Sequence, residues 1–113
     1  MRLLVTGGRD FADRQKLFDA LDMVHDFTPV SLLIAGGARG ADTLAIEWAK
    51  ERGINYHIEK AQWGRFGKSA GIIRNKQMLE MKPNLVVAFA GGNGTRDMVN
   101  RSKKDNIEVH IVG

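Results

Sequence analysis

This sequence predicts an α/β domain: one parallel sheet of about five strands sandwiched between helices on both faces. Three observations carry that expectation. A short β-rich apolar run, then glycines, then an amphipathic helical pattern recurs along the chain. Three of the apolar runs end in paired glycines, Gly7-Gly8, Gly36-Gly37 and Gly91-Gly92. The chain is 113 residues long, 43% apolar and 27% charged, which suits a single globular domain over residues 1–113. Strands that alternate with helices pair in parallel, and right-handed crossovers leave only a few doubly wound strand orders.

The elements follow in order. Arg2–Thr6 reads as the first strand. Asp13 can cap the first helix, in which Leu17, Phe18, Leu21 and Val24 make one stripe. Ser31–Ala35 is the second strand. Asp42 or Thr43 then opens a helix with Ala41, Leu44, Ala45, Trp48 and Ala49 on one face, and Gly53 stands where a helix C-terminus needs it. Ile54–Ile58 is the third strand, made polar by Asn55 and His57, as an edge strand would be. Gln62–Lys68 reads as a loop. A third helix spans Ser69–Met81, with Ile72, Ile73 and Leu79 inward, and stops before Pro83. Leu85–Ala90 is an unbroken apolar run, so a central strand buried on both faces. A fourth helix over Thr95–Lys104 and a last strand over Ile107–Val112 close the pattern.

Composition excludes several classes of function. There is no cysteine, hence no disulfide scaffold, thiolate metal site or cysteine nucleophile. His25, His57 and His110 have no metal-ligand spacing, so no metal is expected. No apolar run reaches the length of a membrane helix, and the N-terminal one is too short for a signal-peptide core, so a cytoplasmic protein is expected. The charge is uneven. Residues 1–56 hold seven basic and eight acidic groups, residues 57–113 ten basic and five acidic. The second half therefore carries the excess of the overall +4 and suits an anionic partner.

The chemistry lies after three strands: Gly7-Gly8-Arg9-Asp10, Gly36-Gly37-Ala38-Arg39-Gly40-Ala41-Asp42 and Gly91-Gly92-Asn93-Gly94-Thr95. In a parallel sheet these turns share the carboxyl edge, where open α/β sheets bind ligands. Glycines admit a ligand close to the backbone, and helix N-termini present free amides to a phosphate. There is no G-x-x-x-x-G-K-[ST] loop, and the dinucleotide fingerprint lacks its third glycine. Arg9 and Arg39 sit in turns where a guanidinium can clamp phosphate, and Arg74 stands on the third helix beside the basic loop. Asp10 and Asp42 read either as helix caps or as ribose ligands, and Asp97 as dipole compensation in the first turn of the fourth helix. Trp63 either stacks on a base or covers the sheet end.

Together with Gln62-Trp63 and Ala70-Gly71-Ile72-Ile73-Arg74-Asn75-Lys76-Gln77-Met78, these turns resemble the YspA-like branch of the SLOG superfamily over essentially the whole chain. That superfamily includes LOG phosphoribohydrolases, molybdenum-cofactor carrier proteins and the DprA domain. The resemblance implies a Rossmann-like fold that binds a nucleotide or nucleotide derivative at the glycine turns. LOG enzymes carry an arginine before the fourth strand and a G-G-x-G-T-x-x-E motif after it. Arg74, Gly91, Gly92, Gly94 and Thr95 match, but Met98 occupies the position of the glutamate. N-glycosidic hydrolysis needs a carboxylate, which Met98 does not supply. Asp97 lies one residue earlier, about 100° round the helix.

The leading expectation is a binding domain for a nucleotide-derived ligand, with no cofactor of its own. The Gly36 and Gly91 turns and Thr95 would hold phosphate, with Asn75 and Asn93 beside them. Arg39 and Arg74 would neutralise it, Asp10 or Asp42 would bind ribose, and Trp63 would border the base. A second reading is a nucleoside-phosphate N-glycosidase with Arg74, Asp97 and Asp10 as candidate catalytic residues. A third is a nucleic-acid module, though no helix-turn-helix or stacking array supports it. A homodimer or higher homo-oligomer is expected from the small size.

Overall fold

The computed structural model describes residues 1–113. Strands β1 (Arg2–Thr6), β2 (Leu32–Ala35), β3 (Asn55–Ile58), β4 (Leu85–Ala88) and β5 (Glu108–Ile111) form one sheet in the order β3-β2-β1-β4-β5. Every pairing is parallel, with Leu4 opposite Ile34 on one side and Val86 on the other. The chain winds outward from β1 to β3, then crosses back to β4. The strand order therefore reverses between β1 and β4, where such sheets open a crevice.

Alternation along the strands separates two cores. Leu3, Val5, Leu33, Val87 and Phe89 pack against α1 (Arg14–Phe27) and α2 (Ala41–Glu51). Leu4, Ile34 and Val86 face the other way, onto α4 (Ala70–Glu80) and α5 (Asn93–Lys104). The result is the three-layer, Rossmann-like α/β sandwich. The polar β3 is indeed an edge strand, and β4 lies inside the sheet with Val86, Val87 and Ala88 buried.

Local chemistry fixes the helix ends. The Asp13 carboxylate accepts the Lys16 amide at 3.1 Å and caps α1. Arg52 caps the C-terminus of α2, and Gly53 follows with φ +67°. Four expectations are corrected. Gly40, not Asp42 or Thr43, caps α2, because the Asp42 side chain turns back to accept the Ala38 amide. Helix α5 starts at Asn93, two residues early, so Asp97 lies in its second turn and bonds Arg101 and Asn75 instead of compensating free amides. Residues 62–68 are not a plain loop: α3 (Trp63–Phe66) and a 3-10 turn (Gly67–Ser69) fill them. Ile72 is 48% exposed, because α4 turns Asn75, Met78 and Leu79 inward.

A wide apolar hollow of about 1200 Å³ runs along α1 and the adjacent face of β4 and β5, past Met23, Phe27, Leu85, Val87 and Val112. It shares no residue with the glycine turns. No helix is long and apolar enough to cross a membrane.

Candidate functional site

A cavity of about 470 Å³ opens at the carboxyl edge of the sheet. Of the residues singled out in the sequence, Gly7, Gly8, Arg9, Asp42, Trp63, Arg74, Asn75, Gly92, Asn93, Gly94, Thr95 and Asp97 line it. Asp10, Gly36, Gly37, Arg39, Gly40 and Gly91 lie outside the lining. Asp10 and Arg39 are exposed at the tips of their turns. Both tips are folded back by internal bonds: the Gly8 carbonyl accepts the Phe11 and Ala41 amides, and the Thr43 hydroxyl donates to the Ala38 carbonyl.

The three glycine turns are not equivalent. In the first, the Gly8 amide donates to Ala90 at 2.8 Å and its carbonyl accepts two amides, so its backbone is occupied. In the second, the buried Asp42 carboxylate accepts the Ala38 amide at 3.1 Å and sits where an anion would otherwise approach α2. Gly40 has φ +82°, and a Cβ there would strike the Gly8 carbonyl, so only glycine closes this turn. The third turn differs. Gly92 caps α5 without a side-chain acceptor, no acid stands in the first helical turn, and the amides of Asn93, Gly94 and Thr95 have no acceptor within the chain. A helix N-terminus in that state attracts an anion.

Arg74 comes from α4 and reaches the turn that follows β2. Its Nη1 donates to the Gly36 carbonyl at 2.7 Å. The guanidinium fills the volume that a Cβ on residue 36 would need, so the glycine makes room for the arginine. The Arg74 Nε is buried without a hydrogen-bond partner. Burial pulls the Arg74 guanidinium below its ordinary range; Asp42 opposes that shift and Arg9 adds to it. Asp42 is pushed in the complementary direction. Burial raises its carboxyl to about 6, against the pull of the Ala38 amide, Arg74 and the Gly36 amide.

Asn75 is buried and ties two elements together. Its Nδ2 donates to the Gly94 carbonyl at 3.0 Å and to Asp97 at 3.1 Å. Arg101 Nε holds both Asp97 oxygens at 3.0 Å. Asp97 thus stands in the cavity wall as a carboxylate fixed by two partners. Met98, one residue on, is fully buried between Leu4, Ile34, Met78, Leu79 and Val86, and points away from the cavity.

Six lining residues were not foreseen: Thr6, Ala38, Lys68, Gly71, Ile72 and Met78. Lys68 had a signal, its place in the basic segment after β3. Ile72 had none, since its residue type points to the core. Arg9, Lys68 and Arg74 give the cavity three cations against Asp42 and the paired Asp97.

A doubly wound parallel sheet whose glycine turns and helix N-termini converge on one polar cavity defines a Rossmann-like domain. The comparisons narrow the class. The chain matches the YspA, cpYpsA-related SLOG family over residues 1–66. The Gene 61 protein of Mycobacterium phage D29 is 36% identical over 116 residues, covering 96% of this chain and 93% of that relative. This chain belongs to the YspA, cpYpsA-related SLOG family. No solved structure matches it.

Proposed function

We propose that the chain binds a nucleotide or nucleotide-derived small molecule in the cavity at the carboxyl edge of the sheet. The observation that carries this reading is the open N-terminus of α5, whose Asn93, Gly94 and Thr95 amides lack acceptors while three cations line the same cavity. In the proposed complex those amides and the Thr95 hydroxyl hold a phosphate, and Arg9, Lys68 and Arg74 balance its charge. A volume of about 470 Å³ falls within the range of small-molecule sites. Family membership supports a nucleotide-related role.

The test is to incubate the protein with mixed nucleotides and their derivatives, separate bound from free, and identify both by mass spectrometry. An intact species retained by the protein is expected. Arg74→Ala should then weaken its binding by about 1.5–3 kcal/mol, as for a lost charge-assisted hydrogen bond. Retention of nothing would overturn the reading.

A second reading, N-glycosidic hydrolysis of a nucleoside phosphate, is favoured by one observation: Asp97 puts a carboxylate into the cavity although Met98 does not. Free base accumulating in the unbound fraction, and abolished in Asp97→Asn, would establish it over simple binding.

A further inference from the structure

We propose that Trp63 is the platform for a planar heteroaromatic ring, so that the cavity takes a phosphate ester bearing a base and not a bare sugar phosphate. The proposal rests on the phosphate seat proposed above and names what fills the rest of the same cavity. Trp63 begins α3, a four-residue helix with no buried residue. Its side chain is 49% exposed although it is one of only two tryptophans, and the other, Trp48, is fully buried. An indole that served only to cover the sheet end would be buried as Trp48 is. Instead it stands in the cavity wall, with the half-exposed Ile72 in the same lining. These two side chains make a half-exposed apolar surface in a cavity lined mostly by glycines and by polar and charged groups.

The indole face is also occupied in a telling way. The Arg9 guanidinium lies 5.7 Å from the Trp63 ring centroid and forms no salt bridge in the chain. A guanidinium plane over an indole presents the surface on which a flat, electron-rich heterocycle stacks. Arg9 is exposed and hangs from the first glycine turn, so it can swing to lie on the outer face of an entering ring. Trp63 and Arg9 then clasp the ring, while the α5 amides hold the phosphate elsewhere in the same cavity. Stacking of this kind accepts any base, because every base has a π-face.

The two tryptophans make the experiment direct. Tryptophan emission is followed while the full-length protein is titrated with ribose 5-phosphate and with the 5′-monophosphates of adenosine, guanosine, cytidine and uridine. The expected result is that nucleoside monophosphates quench the emission of the exposed tryptophan and bind at least about tenfold more tightly than ribose 5-phosphate. Trp63→Ala should remove that advantage by weakening the monophosphates far more than ribose 5-phosphate, and Trp63→Phe should restore most of it. Equal affinity for ribose 5-phosphate and all four monophosphates, with no quenching, would overturn the platform and leave the phosphate seat standing. Binding of none of the five probes would overturn both. An advantage that survives in Trp63→Ala would also overturn the role of Trp63.

Discussion

Asp42→Asn should stabilise the protein at neutral pH and leave it unchanged in acid. Asp42 is 6% exposed, accepts one turn amide at 3.1 Å, and has its carboxyl raised by burial from 3.8 to about 6. A carboxyl whose folded pKa lies above its unfolded value favours the folded state fully below about pH 4. That contribution is lost as pH rises through about 6. The shift is about two units, and each unit is worth about 1.36 kcal/mol, so wild type forfeits about 3 kcal/mol between those limits. Asparagine keeps a carbonyl oxygen for the Ala38 amide and does not ionise. The stability difference between the variant and wild type should therefore be near zero at pH 4 and grow to about 3 kcal/mol by pH 7.5. For a domain of this length that is about 10 °C in Tm. Urea denaturation of both proteins at a series of pH values measures the difference directly, because every other titrating group cancels. Parallel curves from pH 4 to pH 7.5 would refute the reasoning. The substitution also removes the negative charge facing Arg74, so phosphate esters should bind the variant more tightly.

Gly36→Ala should drive the Arg74 guanidinium from its seat, weakening ligand binding about as much as Arg74→Ala does; calorimetry of the single and double variants should show the two effects to be strongly non-additive. Asp22→Ala should cost about 1–3 kcal/mol in urea denaturation, because it strips the acceptor from the indole N–H of the fully buried Trp48, bonded at 2.8 Å, while Asp22→Asn should cost less. Met98→Glu should destabilise the fold by about 3 kcal/mol or more at pH 7 and recover as pH falls, since the new carboxyl would be buried among five apolar side chains and held neutral only in acid. Circular dichroism melts at pH 5 and pH 8 check that last expectation, and equal loss at both would contradict it.

The layered fold was legible because its signals are local: the Asp13 cap, Gly53 after α2, and the polar edge strand β3 each act within a few residues. The start of α5 is hard to read because Asn93 and Gly94 are poor helix formers, while the buried residues of the helix, Met98 and Ser102, lie further along. Ile72 departs from its residue type for the converse reason. Its apolar side chain points to a core, yet the helix phase is set by the burial of Asn75, Met78 and Leu79. Nothing in the residue type of Asn75 announces a buried amide bonded to Gly94 and Asp97. The glycine turns are visible as a set, but whether the Gly8 amide is free depends on a partner 82 residues away, the Ala90 carbonyl that accepts it. Such bookkeeping exists only in three dimensions.

The two cores differ in size, fourteen buried residues under α1 and α2 against six under α4 and α5. Half of the cavity lining belongs to the thinner layer, Arg74, Asn75 and the first turn of α5 among it. Opening of that layer breaks fewer apolar contacts, so its amides should exchange with solvent faster than those of α1 and α2. A molecule that bridged α4, α5 and the turn after β1 would then act as a rivet, and its arrival would be recorded most clearly as slowed exchange in helices that the empty protein lets breathe.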